Sequence, residues 1–243
     1  MSRTDKITKI KKSNIAMILV FLVAIPLTLL LGSKLSGRSY YITGTMIIIE
    51  LMLPFFMAYE GRKPQARELV VVAVLCALAI VGRVAIPIPN FKATFAIIML
   101  SGIAFGPETG FMVGAVTALA SNFFYGQGAY TPWQMMGYGA GGMLAGFVFQ
   151  KGHISKKPIN LAAFGFLAVV LWIGPLLDCS NVFLSFSEIT WSAFAASFAS
   201  GFPVNVMQAI CTVLIMLLFG RPLLDKLDRV KLKYGMTEDE DGV

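Results

Sequence analysis

Along the chain, long apolar runs alternate with short polar connections. The runs at Asn14 to Leu31, Tyr41 to Tyr59, Leu69 to Ile86, Thr94 to Phe105, Gly110 to Phe124, Trp133 to Phe149, Asn160 to Leu177 and Trp191 to Phe219 predict eight helices. A hydrocarbon core about 30 Å thick is crossed by about 20 apolar residues at about 1.5 Å each, and most of these runs approach that length. Backbone groups in lipid must bond internally, so the spans are helical. A β-barrel would show alternating segments of about ten residues, whereas Asn14 to Leu31 and Leu69 to Ile86 are continuously apolar. The fourth run is short for a span and is parted from the fifth by Gly106 and Pro107. The two therefore also read as one interrupted passage, which would make seven. The expected fold class is an all-α polytopic membrane protein.

Composition agrees: 57% of residues are hydrophobic and 14% charged, far from the balance of a soluble domain. A net charge of +7 raises the question of nucleic acid, but the basic residues stand in short clusters between apolar runs rather than along one face. They read as membrane-flanking charges, with no nucleic-acid partner. The segments before Asn14, from Glu60 to Glu68, from Lys151 to Pro158 and after Phe219 hold sixteen Lys and Arg, against four in the intervening connections. By the positive-inside rule this puts both termini in the cytoplasm of a multi-pass protein of the plasma membrane. The connection at Gly106 to Glu108 would also be cytoplasmic, although it has no basic residue.

The organisation expected is a basic cytoplasmic N-terminus (1–13), two N-terminal transmembrane helices (14–59), a six-helix core (69–219) and a cytoplasmic tail (220–243). The first apolar run is too long for a signal-peptide core and lacks a clean cleavage site, so it reads as a retained anchor. The acidic end from Thr237 to Val243 reads as a frayed tail without a role.

Chemistry-bearing residues are few. Cys76, Cys179 and Cys211 share no C-x-x-C spacing, and neither a disulfide framework nor a metal site is implied. The single histidine, His153, lies in a basic connection and cannot anchor a catalytic triad. Zinc-protease, nucleophile-elbow and phosphate-loop signatures are absent, so no enzyme and no cofactor is expected, and ATP-driven transport would need another subunit. Small residues recur at four-residue spacing: Ala73 and Ala77, Gly102 and Gly106, Gly110 and Gly114, Gly137 and Gly141, Gly142 and Gly146. Close helix packing accounts for most such pairs, and docking of a partner membrane protein best suits Ala73 and Ala77. Glu50 stands mid-run, where a charge costs roughly 3 kcal/mol, and reads equally as a functional group or a hydrogen-bonded packing residue.

The densest stretch, Asn122 to Gln134, reads N-F-F-Y-G-Q-G-A-Y-T-P-W-Q and carries no charge. Rings beside amides suit a polar, mostly uncharged ligand, with Asn122, Tyr125, Gln127, Tyr130, Trp133 and Gln134 as candidate contacts. An interfacial aromatic belt would explain the rings but not the amides. A second segment supplies Arg83, Asn90, Phe91 and Lys92 around P-I-P-N-F-K, and a third, Asp178 to Glu188, supplies Asp178 and Asn181. All three fall on the outer side, where they would converge on an outward-opening site.

From Val71 onward, over about 150 residues, the chain resembles the substrate-binding S components of energy-coupling factor (ECF) vitamin transporters. The resemblance rests on A-x-x-x-A at Ala73 and Ala77, I-P-N-F-K at Ile88 to Lys92, G-I-A-F-G-P-E-T-G at Gly102 to Gly110 and N-F-F-Y-G-Q-G-A-Y-T-P-W-Q-M from Asn122. It implies six core helices around a vitamin cavity near the outer face. It also implies an alanine motif that docks the membrane T component, and two ABC ATPases that supply the energy. The two N-terminal helices and Glu50 depart from that plan. The G-Q-G-A-Y-T-P-W-Q-M string looks like that of S components associated with cobalamin or related corrinoids, while the same ring and amide chemistry would serve riboflavin, a queuosine precursor or another vitamin equally well. A proton-coupled secondary carrier working through Glu50 is the competing expectation, although the inverted repeats usual for that class are not evident.

Overall fold

The structure, a computed structural model, describes residues 19–34, 40–61, 64–150, 152, 154–186 and 188–234. The basic segment at 1–13, Arg38, His153 and the acidic end at 237–243 lie outside the described residues.

Among the described residues the chain is helical, without strands. The first helix, α1, begins as a π turn at Val20–Ala24 and continues at Ile25–Lys34, and α2 covers Tyr40–Gly61. They are followed by α3 (Ala66–Val84), α4 (Thr94–Phe105), α5 (Pro107–Tyr125) and α6 (Thr131–Gln150). The seventh passage is α7 (Pro158–Ala168), a π turn at Val169–Ile173 and α8 (Gly174–Ser185). The last passage is α9 (Trp191–Ile215), a π turn at Met216–Gly220 and α10 (Arg221–Lys233). Within the described residues, every predicted apolar run is helical.

Among the described residues, three helices are long and apolar enough to cross a membrane by length and composition: Tyr41–Gly61, Pro158–Ser185 and Trp191–Lys233. The burial pattern is that of a protein dissolved in lipid. Large apolar side chains such as Leu30, Val70, Val74, Leu171, Leu218 and Phe219 are exposed, while Thr94, Ser101, Thr117, Ser121, Asn122, Asp178, Ser197 and Asn205 are buried. Apolar surface facing lipid loses nothing, whereas a polar group facing lipid must find a partner, so the polar residues turn inward.

At the centre stands α4, every residue of which is buried. It is short because Gly106, at φ 97°, takes a backbone conformation that other residues avoid, and Pro107 then opens α5. The chain reverses there, so α4 and α5 are two packed helices rather than one interrupted helix. Helices α5 and α6 form the most intimate pair, with α4 laid across both. A side chain on Gly110 or Gly142 would strike the facing backbone, and one on Gly114 would strike that of Tyr138. These small residues thus serve internal packing, as van der Waals contact between helices in lipid requires. Ala73 and Ala77 are exposed on α3, whose opposite face buries Val72, Leu75, Cys76 and Ala79.

Helix α2 lies on the flank formed by α5, α6 and α8, and α1 packs on α2. The contact is aromatic: Phe55 stacks on Phe111 at 4.6 Å, and Gly44 lets α2 approach Trp133 and Phe183. Glu50 accepts a hydrogen bond from Thr28 of α1, tying the two added helices together.

One expected boundary is corrected. The third candidate segment, Asp178 to Glu188, was expected as a connection, but helix continues to Ser185. Gly174 and Pro175 lie at a helix start, where proline is tolerated, and no breaker follows before Phe186. Asp178 and Asn181 are therefore held on a helix face rather than on a loop.

Candidate functional site

One end of the bundle gathers the C-terminal ends of α3, α5 and α8 with the N-terminal ends of α4, α6 and α9. A cavity of about 440 Å³ opens there. Its wall takes Arg83 from α3, Asn90 and Lys92 from the α3–α4 connection, Tyr125 from α5, Gln134 from α6, and Asp178 with Asn181 from α8. Three separate stretches of sequence thus meet in one place.

Arg83 is locked on several sides. Its Nη1 donates to Ser121 Oγ and, at 2.9 Å, to Asn122 Oδ1. The guanidinium lies 4.9 Å from the Tyr125 ring centre and 5.4 Å from that of Tyr138, a cation–π arrangement that strengthens away from water. Tyr125 donates its hydroxyl to the Arg83 carbonyl at 2.9 Å, closing the group on itself.

Asn122 is wholly buried and does not line the cavity. It works one layer back, donating to Thr131 Oγ1 at 3.1 Å and to Gln134 Oε1 at 2.9 Å while accepting from Arg83. A single amide thus fixes Arg83 and Gln134 together, using both its donor and its acceptor. Gln127 accepts from Thr131 and donates to the Leu119 carbonyl, which folds the α5–α6 connection over the helix ends.

The other expected contacts lie elsewhere. Tyr130 donates to the Gly126 carbonyl and borders a separate open hollow with Tyr41, Gly128, Ala129 and Leu184. Trp133 turns toward the added helices, stacking on Phe183 at 5.2 Å with its indole N–H 3.4 Å from Thr45 Oγ1. Phe91 sits in the α3–α4 turn beside Asn90, whose φ of 58° makes the turn, and it is not on the cavity wall.

The opposite wall comes from α9, which sequence reasoning passed over. Ser197, Ser200, Gly201, Asn205 and Gln208 line the cavity, recurring at the three- and four-residue spacings that repeat one helix face. The signal was available: an amide at Asn205 and another at Gln208 inside a long apolar run call for partners. Asn205 donates to Asp178 Oδ2 at 2.8 Å, and Ser197 donates to the Asp178 carbonyl at 2.8 Å. Phe95 and Tyr138, packed edge to face at 4.8 Å, form the aromatic part of the lining.

A helical bundle inverted for lipid, with a polar, aromatic-lined cavity at one end, is the architecture of a polytopic membrane protein with room for a small solute. The family model described as ECF-type riboflavin transporter, S component, matches residues 63–224, and the chain belongs to that family. It is therefore a substrate-specific subunit of an ECF transporter, in a family of transporter subunits rather than enzymes. Membership implies a vitamin substrate, a T component and ATPases. No curated protein and no solved structure matches the chain.

Proposed function

We propose that this subunit captures a flavin-sized vitamin, riboflavin or a close relative, in the cavity ringed by Arg83, Tyr125, Gln134, Tyr138 and Asp178, for ATP-driven import. The observation that carries this reading is the cavity itself. Its volume of about 440 Å³ falls at the lower end of the roughly 300–1,000 Å³ usual for ligand sites. Rings at Phe95, Tyr125 and Tyr138 offer faces for a flat heterocycle, while Arg83, Lys92, Asn90, Asn181 and Gln134 offer hydrogen bonds for carbonyl and hydroxyl groups.

The corrinoid reading draws on the G-Q-G-A-Y-T-P-W-Q-M string. A corrinoid is several times larger than a flavin, and in the fold Gln127 and Tyr130 from that string brace the connection instead of lining the cavity. Size therefore favours the flavin. Asn122 and Gln127 then act as supports, and Trp133, Tyr130 and Phe91 as the rim and backing of the site.

Ala73 and Ala77 form the T-component docking strip in this reading. They stand exposed on α3 among Val70, Val74 and Val81, on a face that α1 and α2 leave uncovered. Bilayer residence with both termini cytoplasmic completes the proposal. Titration of the detergent-purified protein with riboflavin, followed by quenching of flavin fluorescence, tests it. Saturable 1:1 quenching is expected, and binding of cobalamin but no flavin would replace it.

A further inference from the structure

Asp178 lies within a membrane-spanning helix, 9% exposed, on the cavity wall. Its carboxylate receives one hydrogen bond, from Asn205, and among the described residues no basic side chain pairs with it. The cavity's two cations are engaged elsewhere: Arg83 with Ser121, Asn122 and two tyrosine rings, and Lys92 with the Ile86 carbonyl at 2.6 Å. Glycines make room for this pair. A side chain on Gly201 would strike the Asp178 carboxylate, and one on Gly174 would strike the Asn205 amide. A carboxylate offers about four acceptor positions, and taking it from water with one filled is costly unless something else supplies a donor. Gly201 and Asp178 both border the cavity, so the donor can come from its occupant.

We propose that Asp178 reads a ring N–H on the bound vitamin, with Asn205 as the positioning residue that holds the carboxylate toward the cavity. This rests on the vitamin-capture reading above and narrows it to heterocycles that carry an imide or lactam N–H. A cationic ligand would suit Asp178 alone but would be repelled by Arg83 and Lys92, which line the same cavity.

The test compares riboflavin, whose ring system has an imide N–H, with 3-methylriboflavin, in which a methyl group replaces that hydrogen, and with thiamine as a cationic probe. Wild type should bind riboflavin tighter than the methylated flavin by roughly a hundredfold or more, since a site built around a hydrogen bond rejects the analogue that lacks it. In Asp178→Ala the two flavins should bind about equally, because both the acceptor and the crowding against the methyl group are gone. A purely structural role for Asp178 would weaken both flavins together and keep their ratio. Equal affinity of wild type for both flavins overturns the inference while leaving flavin capture intact, a comparison that depends on no variant folding. Binding of thiamine in preference to both flavins overturns the inference and the flavin reading together, as does binding of none of the three.

Discussion

Arg83 carries the densest set of contacts at the site, and its chemistry cannot be transferred to lysine. A planar guanidinium can lie between the Tyr125 and Tyr138 rings while donating to Ser121 and Asn122, whereas an ammonium is a point charge without that geometry. Loss of a charged hydrogen bond costs about 1.5–3 kcal/mol, or roughly ten- to a hundredfold in Kd. Riboflavin affinity should fall by that factor in Arg83→Ala, and Arg83→Lys should recover little of it, as read by flavin fluorescence titration. Asn122→Ala provides the companion case. It removes no cavity contact, yet it releases Arg83 and Gln134 together, so affinity should drop comparably while the flavin's spectral environment changes little. Trp133→Ala, which strips the stack on Phe183, should instead show first in thermal stability.

At the scale of elements, the apolar runs were legible because lipid demands continuous hydrophobicity, and Gly106 with Pro107 marked the reversal between α4 and α5. The exit of α8 was less legible. Asp178, Ser180, Asn181 and Ser185 look like a connection by polarity, but Asp178 and Asn181 are met by α9, Ser185 by Asn181 and Ser180 by the Leu177 carbonyl, so helix persists to Ser185. The α9 lining was missed for the same reason: long-range partners of buried amides cannot be read from a local window. The small-residue pairs divided by environment, a distinction that spacing alone does not encode. Gly142 faces the Gly110 backbone, so Gly142→Val should cost about 1–3 kcal/mol through overpacking and lower the thermal midpoint in detergent. Ala73 and Ala77 face outward. Replacing both with Leu should leave riboflavin binding within about twofold, as surface substitutions usually do, while uptake by cells containing the T component and ATPases is abolished. Loss of binding in that variant would return Ala73 and Ala77 to a purely internal role.

At the scale of the whole molecule, two independent regularities coincide. The cavity lies at the end where α3, α5 and α8 finish and α4, α6 and α9 begin, whereas Arg67 at the start of α3, Lys156 and Lys157 before α7 and the helix α10 belong to the opposite end. Lys231 of α10 reaches the Ala104 carbonyl at the C-terminus of α4, and Arg67 reaches the Tyr234 carbonyl, so α10 is fastened across the basic end rather than trailing from it. In the proposed orientation cytoplasmic charge anchors that end and the cavity faces outward, as capture from the medium requires. Impermeant maleimide labelling decides the matter. Cys76 and Cys211 are buried and Cys179 is half-buried, so a Cys179→Ser background leaves little native reactivity. In that background Ala129→Cys, in the exposed α5–α6 connection, should label on intact cells, and bound riboflavin should slow the labelling of Asn90→Cys on the cavity wall. Ser155→Cys, at the opposite end, should label only after permeabilisation. The reverse pattern would turn the cavity toward the cytosol, and a subunit so oriented could not take its vitamin from outside.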